Sequence, residues 1–145
     1  MKKLLLTLCL SLGATLASAQ NNPAGLWRTI DDETKTEKSL VRITDTGGVF
    51  NGKVEKITDP AKQDSTCDKC SDARKDQKVI GMTIVQGVKK ADGEAYFEGG
   101  EILDPNNGKV YKVRMTPKDG GKILEVRGYI GAPILGRTQV WQRVE

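Results

Sequence analysis

The sequence of 145 residues contains no histidine. Histidine is the side chain that most readily acts as a general base near neutral pH, and it is also the commonest metal ligand. Its absence excludes a Ser-His-Asp or Cys-His nucleophile and a histidine-ligated zinc site. Carboxylates or lysine could still catalyse a reaction, but no pair of acidic residues stands out in the sequence. We therefore predict a protein that is not an enzyme, with no catalytic residues, no bound metal and no cofactor.

Long apolar segments are also lacking, except at the N-terminus. There, Lys2 and Lys3 precede the apolar stretch Leu4–Leu16, and Ala17–Ala19 matches the small-x-small pattern of a signal-peptide cleavage site. The apolar stretch is shorter than the roughly 20 residues that a membrane-spanning helix needs, and no later segment is apolar enough to span a bilayer. Residues 1–19 are therefore predicted to be a signal peptide, and the protein is predicted to be exported, either to the periplasm or as a secreted protein.

Removal of the signal peptide changes the charge balance. Cleavage after Ala19 would leave 126 of the 145 residues, which suffices for a single domain over 20–145. The loss of Lys2 and Lys3 lowers the basic count from 23 to 21 against 19 acidic residues, so the net charge falls from +4 to +2. Basic residues are interspersed with acidic ones, and no basic run is interleaved with aromatic residues. This pattern argues against a nucleic-acid partner.

Cysteines are few. Cys9 lies in the predicted signal peptide, which leaves Cys67 and Cys70. An even number of cysteines in an exported protein favours a disulfide. The C-x-x-C spacing also occurs in redox-active thioredoxin-like units and in zinc sites, but the first needs a βαβ context and the second needs further ligands. The sequence offers neither, so we favour a structural disulfide and keep a redox role as an alternative.

Short segments of alternating apolar and polar residues are separated by turn signals, which predicts an antiparallel all-β domain. The pair Gly99-Gly100 falls inside one of these segments and predicts either a bulge or a sharp bend at a barrel corner. The eight predicted strands are Gly25–Ile30, Ser39–Thr44, Val49–Ile57, Met82–Val88, Ala95–Leu103, Lys109–Thr116, Ile123–Ile130 and Thr138–Val144.

The order of the strands predicts an up-and-down meander that closes into a barrel, with the first strand against the last. Closure removes both exposed sheet edges. The interior of an eight-stranded barrel is just wide enough for side chains or for one small ligand. One connection is unusually long: Thr58–Lys78 is polar, carries both cysteines, and is predicted to lie over one end of the barrel. Long connections of this kind are often functional.

Six residues are candidates for contact with a ligand inside such a barrel: Trp27, Phe50, Tyr111, Arg127, Tyr129 and Arg137. Trp27 fits two interpretations, a core plug at one end or a platform for a ligand, and we favour the plug. Arg137 or Arg143 is predicted to stack over its ring as a cation–π partner. Phe50 and Tyr111 are predicted to face inward in either case.

Arg127 and Tyr129 also fit two interpretations. They share one face of their strand with Glu125, opposite Leu124 and Val126. If the apolar pair faces inward, Arg127 and Tyr129 lie on the outer surface; the reverse register would point them into the cavity, because a slip of one residue exchanges the two faces. We favour the outward orientation, since exposed charges on strands are common.

The Gly-x-Trp of Gly25-Leu26-Trp27, together with the arginine-bearing last strand, resembles the lipocalin-like (calycin) barrels. Over most of the predicted mature chain, the sequence resembles a family of small, exported bacterial proteins of unknown function. The motifs that carry this second resemblance include Lys38–Ile43, Asn51–Val54, the C-x-x-C, Ile102–Pro105, Gly108–Tyr111, Arg127–Gly131 and Gly136–Trp141. The resemblance implies a lipocalin-like barrel and a bacterial origin, and it carries no established activity.

Three functional hypotheses follow. The first is a non-enzymatic barrel that binds a small apolar or amphipathic ligand. The second is a structural or interaction module whose barrel is filled by side chains. The third is a thiol-disulfide protein that uses Cys67 and Cys70. A cavity of several hundred cubic ångströms would favour the first over the second.

Overall fold

A computed structural model describes residues 21–145, which form a closed antiparallel barrel of eight strands. The predicted signal peptide, residues 1–19, lies outside the described residues. The strands are β1 (Gly25–Ile30), β2 (Glu37–Thr46), β3 (Val49–Ile57), β4 (Thr83–Lys90), β5 (Phe97–Asp104), β6 (Lys109–Lys118), β7 (Ile123–Tyr129) and β8 (Arg137–Arg143). Short 3₁₀ turns occupy Pro60–Lys62, Asp119–Gly121 and Pro133–Leu135.

Each strand pairs with the next, and β1 closes the barrel by pairing with β8 through Trp27 opposite Arg143 and Arg28 opposite Gln142. The prediction of an all-β, antiparallel up-and-down eight-stranded barrel is confirmed. The predicted strand boundaries differ from the observed ones by a few residues. For example, β5 begins at Phe97 instead of Ala95, because the amide of Ala91 donates a hydrogen bond to the carbonyl of Tyr96 and extends the turn.

The pairing between β5 and β6 is interrupted at the predicted bulge. The register shifts between Phe97 and Gly100, so the Gly99-Gly100 pair marks an irregularity in the sheet as expected. β4 also departs from simple alternation, because the pairing with β3 shifts and both Ile84 and Val85 become buried. Ile84 therefore belongs to the core together with its chain neighbour Val85.

The barrel has two ends that differ in the connections they carry. The closed end holds the β2–β3, β4–β5 and β6–β7 turns together with residues 22–24, and the open end holds the β1–β2, β3–β4, β5–β6 and β7–β8 connections. At the closed end the interior is filled by large buried side chains, among them Trp27, Met115 and Leu124, each fully buried. Phe50 and Phe97 meet edge to face nearby, with ring centroids 5.1 Å apart. Within residues 21–145, no helix has both the length and the apolar character needed to cross a membrane.

Candidate functional site

A cavity of about 390 Å³ lies at the open end of the barrel. Small-molecule sites commonly have volumes of about 300–1,000 Å³, so this cavity is large enough for one small ligand. Its inner part is lined by Trp141, Val126, Ile102, Ile84 and Tyr111, and its outer part by polar residues of the β1–β2 and β5–β6 connections. The site therefore combines an apolar floor with a polar mouth.

Two aromatic side chains give the floor its shape. Trp141 is 2% exposed, and its indole N–H donates a hydrogen bond to the Gln139 side-chain oxygen at 3.0 Å. The hydroxyl of Tyr111 accepts a hydrogen bond from the Asn107 amide at 3.0 Å. Both polar groups therefore already have partners, and the half-buried Tyr111 ring is the more accessible of the two aromatic surfaces.

Gly128 lies between these aromatic residues and lines the cavity. A Cβ placed on it would meet the Cβ of Tyr111 at 3.5 Å and the Ile102 side chain at 3.7 Å, which are ordinary contact distances. A side chain at this position would therefore extend into the cavity without forcing the backbone to move. Glycine here contributes directly to the volume available for a ligand.

The mouth of the cavity carries a set of paired charges. The Arg137 guanidinium donates two hydrogen bonds to the Asp32 carboxylate, at 2.5 and 2.7 Å, and a third to Glu33 at 3.1 Å. The hydrogen bond from Arg137 lowers the pKa of Asp32 from its ordinary value of 3.8. These bonds join the start of β8 to the β1–β2 connection across the mouth.

Asp31 orders the same connection from within. Its carboxylate accepts hydrogen bonds from the backbone N–H of Thr34 at 2.7 Å and of Glu33 at 3.0 Å. The bond from the Thr34 amide is the main cause of the lowered pKa of Asp31, and it is assisted by the Thr34 hydroxyl and by Lys38 at 3.7 Å. The β1–β2 connection is thus held in one shape by its own side chains.

The long β3–β4 connection, residues 58–82, contains a disulfide between Cys67 and Cys70. Both cysteines are buried, at 0% and 3% exposure. The Cys67 sulfur lies 3.7 Å from the Pro105 carbonyl oxygen, and a Cβ placed on Gly108 would fall 2.0 Å from the Lys69 carbonyl oxygen. The disulfide segment therefore packs tightly on the β5–β6 turn at the open end, which is the end that the cavity occupies.

Within the described part of the chain, no three cysteine, aspartate or glutamate side chains are grouped so that they could hold a metal ion. The acidic side chains at the mouth instead pair with arginine, lysine and backbone amides. The chemistry that the site offers is apolar burial and aromatic contact inside, with hydrogen bonding and charge at the mouth.

Two of the predicted site residues lie away from the cavity, toward the closed end. Trp27 is fully buried, and its indole N–H donates a hydrogen bond to the Pro23 carbonyl at 2.7 Å. The Arg143 guanidinium lies 4.2 Å from the Trp27 ring, as predicted for one of the two candidate arginines. Phe50 packs against Phe97. Trp27 therefore occupies the position of a core plug, and Phe50 lies in the filled half of the interior.

Arg127 and Tyr129 lie on the outer face of β7. Residues paired directly across a sheet point to the same side. Arg127 pairs with Arg114 and Tyr129 with Lys112, whereas Val126 pairs with Met115 in the core. This is the orientation that the alternation of Leu124 and Val126 favoured, and neither residue lines the cavity. Tyr129 is only 8% exposed, however, so it is buried on the outer face and does not lie in solvent as expected.

The outward orientation gives Arg127 a clear set of partners. Its guanidinium donates hydrogen bonds to the carbonyl of Pro133 at 2.6 Å, the hydroxyl of Thr138 at 2.6 Å and the carbonyl of Ile134 at 3.3 Å. Arg127 thereby holds the β7–β8 connection in place. The tip of that connection exposes Ile134 and Leu135 to 83% and 76%.

Tyr111 and Arg137 do line the cavity, so the structure brings two of the six predicted residues together there. Sequence reasoning did not assign Trp141 and Gln139 to the site, although both line it. The signal was present, because Arg137, Gln139 and Trp141 alternate along β8 and must share one face. Asp31 and Asp32 come from a connection between strands, where no alternation of residues indicates which way a side chain points.

Comparisons with known proteins agree with this architecture. Residues 25–143 match the family described as "Uncharacterized protein conserved in bacteria (DUF2147)". Among solved structures, the fold is similar to that of HP1028, a protein of the human pathogen Helicobacter pylori described as belonging to the lipocalin family. The two share 21% sequence identity over 86% of this chain and 84% of the other, with a TM-score of 0.72. At this identity the similarity concerns the fold. The comparison with curated proteins finds no match.

Proposed function

From the premise that this chain belongs to the bacterial family of uncharacterised proteins DUF2147 and has a lipocalin-like fold, we propose that it is an exported, non-catalytic carrier of a small, partly apolar molecule. The observation that carries this proposal is the cavity of about 390 Å³ with Trp141 and Tyr111 in its wall. A ligand would bury its apolar part in the inner part of the cavity and keep its polar end toward the polar side chains at the open end.

Export is the part of the proposal that depends on residues 1–19. The basic start, the apolar stretch and the Ala-Ser-Ala sequence support cleavage after Ala19. The expected outcome is a mature protein that begins at Gln20 and is recovered from the periplasm or the medium. Mass spectrometry of the protein from each cell fraction tests this, and an uncleaved cytoplasmic chain would contradict it.

The binding function is tested with two matched leucine substitutions on neighbouring strands. Gly128→Leu places a side chain in the cavity, whereas Val140→Leu enlarges a residue that is 44% exposed on the outer face of β8. We expect the parent protein and Val140→Leu to bind an environment-sensitive probe such as anilinonaphthalene sulfonate, and Gly128→Leu to bind it at least about tenfold more weakly. Equal binding by both variants would place the probe outside the barrel.

A ligand-free structural module is the second candidate, and the filled closed end favours it. Trp27, Met115 and Leu124 leave no room for a ligand in that half of the barrel. Native mass spectrometry of protein purified from its own host separates the two functions. A reproducible adduct of metabolite or lipid size supports the carrier, and a bare mass under all growth conditions supports the module.

A thiol-disulfide role for Cys67 and Cys70 is the third candidate. Exchange requires a thiolate to reach one of the sulfurs, and both cysteines are almost fully buried against the β5–β6 turn. A thiol-exchange assay with the parent protein and the double Cys→Ser variant tests this role directly, and activity lost only in the variant would support it.

A further inference from the structure

A second cavity, of about 510 Å³, lies beside the first and is bounded on one side by the β3–β4 connection. Its inner wall is apolar and is formed by Val54, Ile57, Val79 and Ile84. Of these, Val54, Val79 and Ile84 are 3%, 8% and 7% exposed, so the wall belongs to the continuous core of the protein. We call this space the outer chamber, and we call the cavity described above the barrel chamber.

The two chambers adjoin each other. Five residues line both of them: Lys38, Ser39, Ile84, Pro105 and Asn106. Lys38 and Asn106 are exposed, and Lys38 is paired with Asp31 at 3.7 Å. Side chains held this loosely can rotate aside at small cost, which allows one ligand to pass between the chambers.

The polar wall of the outer chamber is suited to a hydrogen-bonding group. It presents the side chains of Ser65, Thr66, Lys62 and Lys69. Lys62 and Lys69 form no salt bridge within residues 21–145, while Glu37 on the same wall is paired with Arg28 at 2.6 Å. Asp59 uses its carboxylate to accept a hydrogen bond from the Ala61 amide. The lysine ammonium groups and the hydroxyls are therefore the donors available to a ligand.

From this arrangement we infer that the two chambers form one elongated site for a single-chain amphiphile. The apolar chain lies in the barrel chamber against Trp141 and Tyr111, and the polar end lies in the outer chamber beneath residues 58–82. This inference rests on the proposed binding function and specifies its ligand class. It also assigns a role to the disulfide, which fixes the wall of the outer chamber on the β5–β6 turn.

The test uses two bulky substitutions in the β3–β4 connection. Ser65 lines the outer chamber, whereas Ser71 is exposed and lines neither chamber. Ser65→Phe should fill the outer chamber, and Ser71→Phe is its matched control. Affinities are measured by displacement of the fluorescent probe with monoacylglycerols and fatty acids that carry either an octanoyl or a palmitoyl chain, below their micellar concentrations.

We expect Ser65→Phe to weaken binding of the palmitoyl compounds about tenfold or more, because filling the chamber displaces the polar end and forces methylenes back into water. Octanoyl compounds, which fit the barrel chamber alone, should bind Ser65→Phe as they bind the parent protein. Gly128→Leu should weaken both. Stronger binding of fatty acids than of glycerol esters would identify the lysines as the partners of the polar end, and equal binding would identify the hydroxyls.

The outcomes separate this inference from the proposed function. If the parent protein binds none of the compounds, the proposed function fails and the inference fails with it. If the parent binds both chain lengths but Ser65→Phe affects them equally, or affects neither, the ligand occupies the barrel chamber alone and the two-chamber inference is overturned. Circular dichroism and the thermal midpoint of each variant establish that the substituted protein is folded.

Discussion

The two ends of the barrel each carry an arginine of β8, but they use it differently. At the closed end, Arg143 donates hydrogen bonds to the carbonyls of Gly121, Ala24 and Asn22 at 2.5, 2.6 and 2.9 Å while it lies over the ring of Trp27. Burial lowers the pKa of Arg143 below its ordinary value, because the charged form loses hydration. The arginine seals this end by joining the N-terminal segment to the β6–β7 turn.

Trp141, the cross-strand partner of Leu124, forms the floor of the barrel chamber, and at the open end Arg137 reaches outward to Asp32 and Glu33. The Arg137 side chain is 63% exposed, and its partners belong to a connection between strands instead of to the core. Its ion pairs are therefore screened by water and contribute little to stability. The comparison indicates a division of labour: Trp27 and Arg143 seal the closed end, whereas the core at the open end, which includes Val79 and Ile84, is bordered by two chambers.

The largest expected effect is the removal of the plug at the closed end. Trp27→Ala should lower the free energy of unfolding by about 3–5 kcal/mol, because it leaves a cavity beneath Arg143 and removes the cation–π contact. Urea denaturation followed by circular dichroism measures the loss. Tyr111→Ala is the control at the open end, where the side chain is half-buried beside an existing chamber, and it should cost about 1 kcal/mol.

If Trp27→Ala does not fold, Trp27→Phe keeps most of the apolar volume and allows the same comparison. Equal losses for substitutions at the two ends would contradict the division of labour. So would a larger loss for Tyr111→Ala than for either Trp27 variant.

The second-largest expected effect is the loss of stability on removal of the disulfide at the open end. Replacing both Cys67 and Cys70 by serine should lower the free energy of unfolding by at most about 2 kcal/mol, because the closed ring is very short. The change should be concentrated in residues 58–82, which would exchange amide hydrogens faster while β1 and β8 keep their protection. Hydrogen exchange measured by mass spectrometry checks this.

Reduction of the parent protein with dithiothreitol should reproduce the exchange pattern of the double variant. The same reductant should leave the variant unchanged. Faster exchange throughout the barrel would show that the disulfide supports the whole fold and not the outer chamber in particular.

Much of the fold could be predicted from the sequence because it depends on local signals. Alternation along strands and turn residues between them gave eight strands in the observed order, and Leu124 and Val126 indicated which face of β7 points inward. Closure through Trp27 and Arg143 followed from the first and last strands. These features depend on short-range geometry, which a single sequence records directly.

The candidate site was harder to predict from the sequence, because it depends on how the connections between strands fold back on the barrel. Arg127 was a candidate for the cavity, yet its partners are the carbonyls of Pro133 and Ile134. These carbonyls lie in a connection between strands, where no alternation of residues indicates their position. The outer chamber depends on the packing of residues 58–82 against the β5–β6 turn, a contact between segments more than thirty residues apart. No alternation or turn signal specifies such a contact.

The third-largest expected effect is the loss of the ion pair between Asp32 and Arg137, whose contribution to stability depends on pH. Arg137 lowers the pKa of Asp32 below 3.8 in the folded protein. A carboxyl whose pKa is lowered on folding stabilises the protein at pH values above the pKa that the carboxyl has in the unfolded chain. This stabilisation is lost as the pH falls through the pKa of the carboxyl in the folded protein. Asp32→Asn should therefore cost less than about 1 kcal/mol near neutral pH. The difference from the parent protein should disappear at pH values well below 3.8.

Thermal unfolding across this pH range, at low and high salt, checks the prediction. Arg137→Gln supplies the matched variant, since it removes the same pair from the other side and also releases Glu33. A difference that persists in acid would mean that Asp32 acts through packing instead of through charge.

The smallest expected effect is at the exposed tip of the β7–β8 connection. Leu135→Ser should change the free energy of unfolding by no more than about 0.5 kcal/mol, because the side chain is already 76% exposed and buries little surface on folding. The connection should keep its shape, since Arg127 holds it through the backbone carbonyls of Pro133 and Ile134, which this substitution does not change. Leu124→Ser, which changes a fully buried leucine on β7 in the same way, should be severely destabilising, so the pair compares exposed and buried leucine within one hairpin. Urea denaturation of the two variants checks the contrast, and a loss for Leu135→Ser comparable to that for Leu124→Ser would show that the tip is packed against the protein in solution.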